Sequence, residues 1–404
     1  MKELVGFRGP GRTVCAWPPH DSPGFGVIMA DPSTNRTPVD LDRIRTELAA
    51  QGHPWIMGET TMTILGEDQR GQRLGVPLPR ENERRQLESQ AKTLAAGQAA
   101  RASAVAGAGA GAQFDGRDVG GANFVTPVKD QGDCGCCVAF GVVGTMETVA
   151  AYTRGQPGLQ LDLSEAHLFY THGKNDNANC DTGWMPDRAL KACHDVGITY
   201  ENYFPYSPRN RTGAVLNADW PNRLATVPSS SDLTGNPAAM KEQLTARGAL
   251  VACFLVYQDF FAYRSGVYRH VTGDLAGGHC VTLVGYDDNQ GCWIAKNSWS
   301  TGWGDNGFFR IGYGECGIET WQVEQVGAVN LRAWTGSTPV LGLWSNDSDR
   351  NTWAYLQNLG WLHLAGDDEV MNKAMLVELI AAKQGGRPVN AFNSNGTIIE
   401  TYVF

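Results

Sequence analysis

The 404-residue sequence predicts an α+β chain built in several units. Three observations carry that expectation. Helix-like and strand-like runs alternate before residue 96. An Ala/Gly/Ser-rich segment without a large apolar side chain, GQAARASAVAGAGAGAQ at 97–113, then interrupts the chain. The pattern changes again near 333, where strand-like runs flank a single helix. With 42% hydrophobic and 19% charged residues, the chain has the material for a large core. A net charge of −9 argues against a general nucleic-acid binder. The apolar runs are too short to cross a bilayer, so no membrane span is expected. No basic segment followed by an apolar leader opens the sequence. The expected location is therefore cytoplasmic, or extracytoplasmic if a leader has been removed.

Taken in order, VDLDRIRTELAAQG has helical spacing, and WIMGETTMTILG alternates as a strand does. RLGVPLPR is bounded by Gly and Pro, and ENERRQLESQAKTLAA reads as a charged helix. None of these carries catalytic spacing. Segment 97–113 reads as a flexible linker open to proteolysis. Beyond 333, STPVLGLWS, TWAYLQNLGWLHLA, PVNAF and TIIETYVF read as strands. The helix between them, DDEVMNKAMLVELIAAK, repeats Met371, Met375 and Leu379 at i, i+4 and i+8, with Leu376 and Ile380 beside them. Acidic residues suit its start, Gly385-Gly386 its end, and Asn395-Gly396 marks a hairpin. Residues 333–404 are thus expected to form a small β-rich, OB-like domain that binds protein or carbohydrate, or a packing extension.

The chemistry concentrates between 114 and 326. QGDCGCCVAF at 131–140 places Cys134, Cys136 and Cys137 together, open to three readings. A redox C-x-x-C normally opens a helix after a strand, but VTPVKDQGD is loop-like. A zinc site lacks a second ligand pair, since neither another C-x-x-C nor an H-x-x-x-H occurs. A nucleophile needs a thiolate, favoured by a helix N-terminus and a nearby imidazolium, and an imidazole oriented by a third group. The run CVAFGVVGTMETVAAYTRG supplies the helix. LAGGHCVTLVGYDD supplies His279, and AKNSWSTGWGDNGFFRIG supplies Asn297 with Trp299 two positions on. His279 lies 142 positions beyond Cys137 and Asn297 lies 160 beyond.

These residues carry a resemblance. QGDCGCCVAFG, LSEAHLFY, NCDTGW, GITYENYFPY, GGHCVTLVGY and KNSWSTGWGDNGFFRI stand in the order found in papain-like cysteine peptidases, including the cathepsins. FDGRD with FVTPVKDQG resembles the start of their mature domain. The resemblance spans about 114–326 and implies two lobes, one helical and one β-barrel-like, with the site between them. It implies Cys137 as nucleophile, His279 as general base and acid, Asn297 as holder of the ring, and Gln131 as oxyanion donor beside the Cys137 N–H. Gly183, Trp184, Met185, Gly277 and Gly278 match substrate-binding positions, and Trp299 matches a packing residue over the site. Cys134 matches a cysteine bonded to that at Cys180. Cys316 lacks its family partner and is left unpaired. Cys136 sits where the family commonly has a small residue, and Val138 where it has Trp.

The resemblance further implies an endopeptidase zymogen without metal or organic cofactor. Its substrates are polypeptides, and residues 1–96 act as an intramolecular inhibitor released by cleavage in 97–113. The alternatives are an acyl transferase using the same thioester and a catalytically silent binding protein.

Overall fold

The computed structural model describes residues 38–105, 112–348, 350–357, 359–366 and 368–404. The first 37 residues of the expected pro-region, and 106–111 of the expected linker, lie outside that set.

Helix α1 (Leu41–Ala50) starts at Asp40, whose carboxylate accepts the Arg43 N–H, and it buries Ile44 and Leu48. Strand β1 (Trp55–Met57), the short helix α2 (Glu67–Gly71) and the long helix α3 (Glu81–Val105) follow. Two expectations are corrected here. Of WIMGETTMTILG only the first three residues form a strand. Thr60 then turns the chain, its hydroxyl accepting from the N–H groups of Met62 and Thr63. The segment read as a flexible linker is helical as far as Val105, because alanine recurs after Gly97 and outweighs that one weak helix former.

Strand β2 (Gln113–Asp115) leads to helix α4 (Cys137–Thr153), a π-helical turn (His167–Gly173) and helix α5 (Pro186–Asp195). Strands β3 (Leu224–Thr226) and β4 (Ser230–Asp232) precede helix α6 (Pro237–Arg247). Then come β5 (Leu250–Tyr257), β6 (Tyr263–Tyr268), β7 (Leu275–Asp287), β8 (Cys292–Lys296), β9 (Phe308–Gly312) and β10 (Val323–Val326). They form one sheet in the order β1-β6-β9-β8-β7-β5-β10-β4, with β2 paired to β7. The N-terminal region thus contributes the edge strand. Trp55 fastens it, donating its indole N–H to the Arg269 carbonyl at 2.8 Å and packing on Tyr268.

Helix α4 is buried on every side from Cys137 to Ala151, as suits a mainly apolar sequence whose one charge, Glu147, is hydrogen-bonded. It lies against β7 at very short range. A Cβ on Gly141 would fall 2.7 Å from Cys280 Sγ, and one on Gly144 2.7 Å from Thr282 Oγ1. The Thr282 hydroxyl donates to the Gly141 carbonyl at 3.0 Å. The glycines are therefore what lets helix and strand touch.

After β10 come β11 (Asn330–Trp334), β12 (Val340–Ser345), β13 (Thr352–Leu356), β14 (Gly360–Leu364), helix α7 (Glu369–Gly385), β15 (Val389–Ser394) and β16 (Thr397–Val403). With β3 they make a second sheet, ordered β12-β13-β14-β16-β15-β11-β3. The OB-like expectation is corrected: among the described residues the end strands β12 and β3 do not pair, so the sheet is open. Helix α7 covers one face, placing Met375, Leu379 and Ala382 on Ala354, Leu356, Leu362 and Leu364. Met371 and Ile380 stay 50% and 38% exposed, against expectation. A strict four-residue step spirals off a face of period 3.6, and Asn372 and Ala382 fill the stripe instead. Asp368 caps α7, Gly386 ends it at φ 62°, and Asn395 and Gly396 turn the last hairpin at φ 51° and 91°.

Because β11 takes β3 as its neighbour, the C-terminal sheet is completed by the preceding unit. Ending the chain at Val329 should strip the β3 edge and lower the thermal midpoint by more than about 4 °C, the rough equivalent of 2 kcal/mol or more in a chain of this length. An independent C-terminal domain predicts an unchanged midpoint in a thermal melt.

Candidate active site

The site is assembled at the N-terminal end of α4. The preceding loop is fixed by several bonds. The Tyr206 hydroxyl donates to the Gln131 carbonyl at 2.6 Å, and the Gln131 N–H donates to the Ser298 carbonyl at 2.9 Å. The Ser298 hydroxyl donates to Gln131 Oε1 at 2.6 Å, which leaves Nε2 as the outward donor. That group gives hydrogen bonds to the Cys134 carbonyl at 2.8 Å and to the Arg73 carbonyl at 3.1 Å. Behind the loop, Lys129 bonds Glu165 at 2.8 Å, and Glu147 accepts from Thr126 at 2.5 Å.

Cys137, the first residue of α4, is fully buried. Burial pushes its thiol well up, although main-chain hydrogen bonds with Cys280 and Gly75 oppose the shift. His279 on β7 is also fully buried. Its Nε2 meets Asn297 Oδ1 at 2.8 Å. The Ser298 N–H donates to the same oxygen at 2.8 Å, which fixes the amide orientation and makes Nε2 the protonated ring nitrogen. Nδ1 is left buried without a hydrogen-bond partner. Trp299 lies over the ring at 4.6 Å between centroids, and Phe254 meets its edge at 5.9 Å. Burial pulls the imidazole down to about 4. With the site covered, thiol and imidazole are thus both held neutral.

The cover is the chain's own segment Arg73–Val76. The Trp184 N–H donates to the Gly75 carbonyl at 2.9 Å, and the Val76 N–H donates to the Gly278 carbonyl at 3.1 Å. Contact is close enough to require glycines. A Cβ on Gly183, whose φ is 71°, would lie 1.9 Å from the Gly75 oxygen. A Cβ on Gly75 would lie 1.9 Å from the Gly135 oxygen. Gly277 accommodates Leu74, 2.8 Å from its would-be Cβ, and Gly278 faces both the Val76 oxygen and Trp321 at 2.5 Å. Arg73 also pairs with Asp130 at 2.6 Å. Helix α3 continues the contact: Glu88 accepts from the Tyr257 hydroxyl at 2.6 Å, and Leu87 accepts from Thr320 at 2.8 Å.

The structure therefore brings Cys137, His279, Asn297, Gln131, Trp299, Gly183, Gly277 and Gly278 to one groove. Trp184 touches the groove through its backbone. Its ring is buried and donates to Asp176 at 2.9 Å, and Met185 opens α5 half-buried beside it. Cys134 and Cys180 form a disulfide, and the Gly135 N–H donates to the Cys180 carbonyl at 2.9 Å. Cys136 is a free buried thiol, 3.0 Å from the Tyr206 hydroxyl and pushed up to about 12 by burial. Cys316 is free and buried. Among the described residues no cluster of three His, Cys, Asp or Glu side chains is placed to hold a metal ion.

Sequence reasoning passed over two contributors. Ser298, which aims Gln131, follows Asn297 directly but shows no motif of its own. The groove-filling role of RLGVPLPR was signalled only by a glycine between two aliphatic residues.

Comparison with known proteins agrees with this geometry. Residues 110–326 match the family described as papain family cysteine protease. Cathepsin B-like CP2 of Giardia intestinalis is 34% identical over 210 residues, covering 48% of this chain and 67% of that protein. Pro-cathepsin H of Mus musculus is 34% identical over 206 residues, covering 48% of this chain and 60% of that protein. The solved structure of procathepsin B S9 from Trypanosoma congolense shares the fold. Its TM-score is 0.52 at 22% identity, over 70% of this chain and 96% of that one. The match exceeds half of the chain, and the chain belongs to the papain family of cysteine peptidases.

Proposed function

We propose that this chain is the closed precursor of a cysteine endopeptidase in which Cys137, His279, Asn297 and Gln131 perform the chemistry. The observation that carries the reading is the lie of Arg73–Val76. The segment leaves the turn after α2 and its backbone is held between Gly183 and Gly278, with the Arg73 carbonyl on Gln131 and Gly75 against Cys137. A peptide held the same way presents a carbonyl to Cys137 and its oxygen to the Gln131 amide. Cys137 gives its thiol proton to His279 Nδ1, the resulting thiolate attacks the carbonyl carbon, and the oxyanion rests on Gln131 Nε2 and the Cys137 N–H at the start of α4. The C–N bond then breaks, and the leaving amine takes its proton from His279 Nδ1. Neutral His279 removes a proton from water, which attacks the thioester carbonyl. The C–S bond breaks, the acid leaves and Cys137 is restored. Asn297 keeps Nε2 protonated throughout and so reserves Nδ1 for the transfers.

Residues 38–105 hold the enzyme shut, and cleavage within 97–113 frees it. Incubation at mildly acid pH should give a new N-terminus in that interval, read by mass spectrometry, and Cys137→Ala should abolish its autocatalytic formation. In the mature enzyme, Gln131→Ala should lower kcat/KM about 100- to 1,000-fold with little change in KM. An epoxide inhibitor should modify Cys137 and leave the neighbouring Cys136 unmodified in a peptide map. Equal labelling of the two thiols would remove the basis for the assignment.

The occluding segment is testable without touching the catalytic residues. Gly75→Ala drives a methyl into the Gly135 carbonyl, so the precursor should open. Alkylation of Cys137 in the intact chain should accelerate more than tenfold.

Acid should favour opening as well. His279 sits at about 4 in the closed form against roughly 6.5 for a free imidazole. A base with a depressed pKa stabilises the closed form fully above the free value, and that stabilisation is lost as pH falls from about 6.5 towards 4. In Cys137→Ala protein, the Val76 and Trp184 N–H groups should lose hydrogen-exchange protection over that window, after correction for intrinsic rates. His279→Ala should flatten the dependence.

A further inference from the structure

The C-terminal sheet has two unlike faces. One is aliphatic and lies under α7. The other carries aromatic rings on three neighbouring strands. Trp344 on β12 stands opposite Trp353 on β13, Trp353 stands opposite His363 on β14, and Tyr355 stands opposite Trp361. Trp344 and Trp361 are 47% and 48% exposed. The three indoles do not stack on one another. They border an open depression of about 320 Å³ whose lining is Trp344, Trp353 and Trp361. The walls are held in place. Trp353 donates its indole N–H to Asn351 at 2.7 Å, and Asn351 donates to Asn346 at 3.0 Å. Trp361 meets the edge of Tyr355 at 5.4 Å, and its ring tip lies 3.1 Å from the would-be Cβ of Gly342, so a side chain there would push it up.

We propose that this depression is a binding site for a neutral glycan built of pyranose rings. Its volume falls within the roughly 300–1,000 Å³ of small-molecule sites. Its walls are flat, electron-rich rings, which suit the C–H face of a pyranose. The Tyr355 hydroxyl and His363 stand on the same strands and the Asn351 amide lies just before β13, polar groups beside the rings that suit the hydroxyls at a sugar's edge. Among the described residues no charged side chain lines it, so an ionic ligand finds no counter-charge there. The chain's net charge of −9 opposes docking on an anionic lipid surface. A second copy of the chain is also a poor occupant. At about 150–250 Å² per aromatic side chain, rings half exposed offer a few hundred Å², short of the roughly 800 Å² per partner of a stable dimer. The sheet's other face already supplies the core, so folding does not account for tryptophans on this one. The site would hold the peptidase on a carbohydrate, away from the cleavage groove.

The test uses the full chain carrying Cys137→Ala, to prevent self-cleavage. Cellohexaose, laminarihexaose, xylohexaose, mannohexaose and chitohexaose are titrated while tryptophan emission is followed. Retardation in gels containing the matching polysaccharides is a second readout. At least one glycan should give a saturable change and retardation. Trp344→Ala and Trp361→Ala should each weaken that binding at least tenfold, and Trp361→Phe should weaken it less. In the otherwise native chain, once activated by cleavage within 97–113, Trp361→Ala should leave hydrolysis of a short peptide unchanged. Should Trp344→Ala fail to fold in a thermal melt, Trp361→Ala and Trp344→Phe carry the comparison. Absence of saturable binding to all five probes overturns the proposal. So does binding that survives both alanine variants, displacement of the glycan by choline at a similar concentration, or preferential binding to anionic vesicles.

Discussion

The near-contact between α4 and β7 governs the rest of the molecule. Cys137 belongs to the helix and His279 to the strand, and no local sequence link joins them. They are brought together because Gly141 and Gly144 leave no side chain between the two elements. Cys280 and Thr282 occupy the space that is freed, and the Thr282 hydroxyl pins the Gly141 carbonyl. That bond contributes about 0.5–1.5 kcal/mol, but its larger effect is to fix the register. A slip of β7 by one residue would turn His279 to the opposite face and place Cys280 where the ring now stands. The adjacent strand β8 ends at Lys296, so the same register also sets Asn297 beside the ring.

The electrostatics of the groove follow from what fills it. A thiolate and an imidazolium are worth keeping only where water, a helix end or reacting charge supports them. Under Arg73–Val76 the site is sealed, and burial moves each group towards neutrality: the thiol upward and the imidazole down to about 4. The covering segment therefore does more than obstruct. It keeps water from the pair beneath it and so opposes the ionisation of both groups. Gly183 and Gly75 meet backbone alone and so impose little chemical selection on what lies there, whereas Gly277 meets the Leu74 side chain. Selection falls to whatever surrounds Leu74 and Val76, including Trp321 beside Gly278.

Much of this was legible in the sequence because the signals were local. A cysteine opening an apolar helix, a histidine after paired glycines and an asparagine before a tryptophan are each ordinary alone, and it is their order and the resemblance it carries that suggested chemistry. The Asn395-Gly396 hairpin and the Gly386 helix end were legible for the same reason: positive φ demands those residues. What escaped depended on distant partners. Whether WIMGETTMTILG stays extended is decided by β6, which pairs with Trp55–Met57 and leaves the remainder to a threonine turn. The linker composition promised flexibility, yet the same alanines support a helix once α3 is under way. The OB-like reading failed because no pattern within 333–404 discloses that the sheet takes its last strand from residues 224–226.

That borrowed strand explains how the C-terminal sheet is oriented on the peptidase. β3 and β4 are consecutive, as are β10 and β11, but each pair is split between the two sheets. β4 pairs with β10 in the first sheet, and β3 pairs with β11 in the second. Between them the Gly327 N–H donates to the Ser229 carbonyl at 2.9 Å, and Gly327 leaves room for the Ser229 side chain. The two crossings therefore form one antiparallel ribbon that runs through both sheets, not a pair of separate tethers. Arg154 adds a bond to the Val329 carbonyl at 2.8 Å, and Arg223 lies over the Phe392 ring at 5.0 Å. A single tether lets an appended domain swing, because one backbone segment has two soft torsions at every residue. A hydrogen-bonded ribbon removes that freedom, since turning one sheet against the other would break the ladder at the crossing. The aromatic face of β12–β14 is accordingly fixed relative to the groove, and whatever it holds is presented to the peptidase in a set direction.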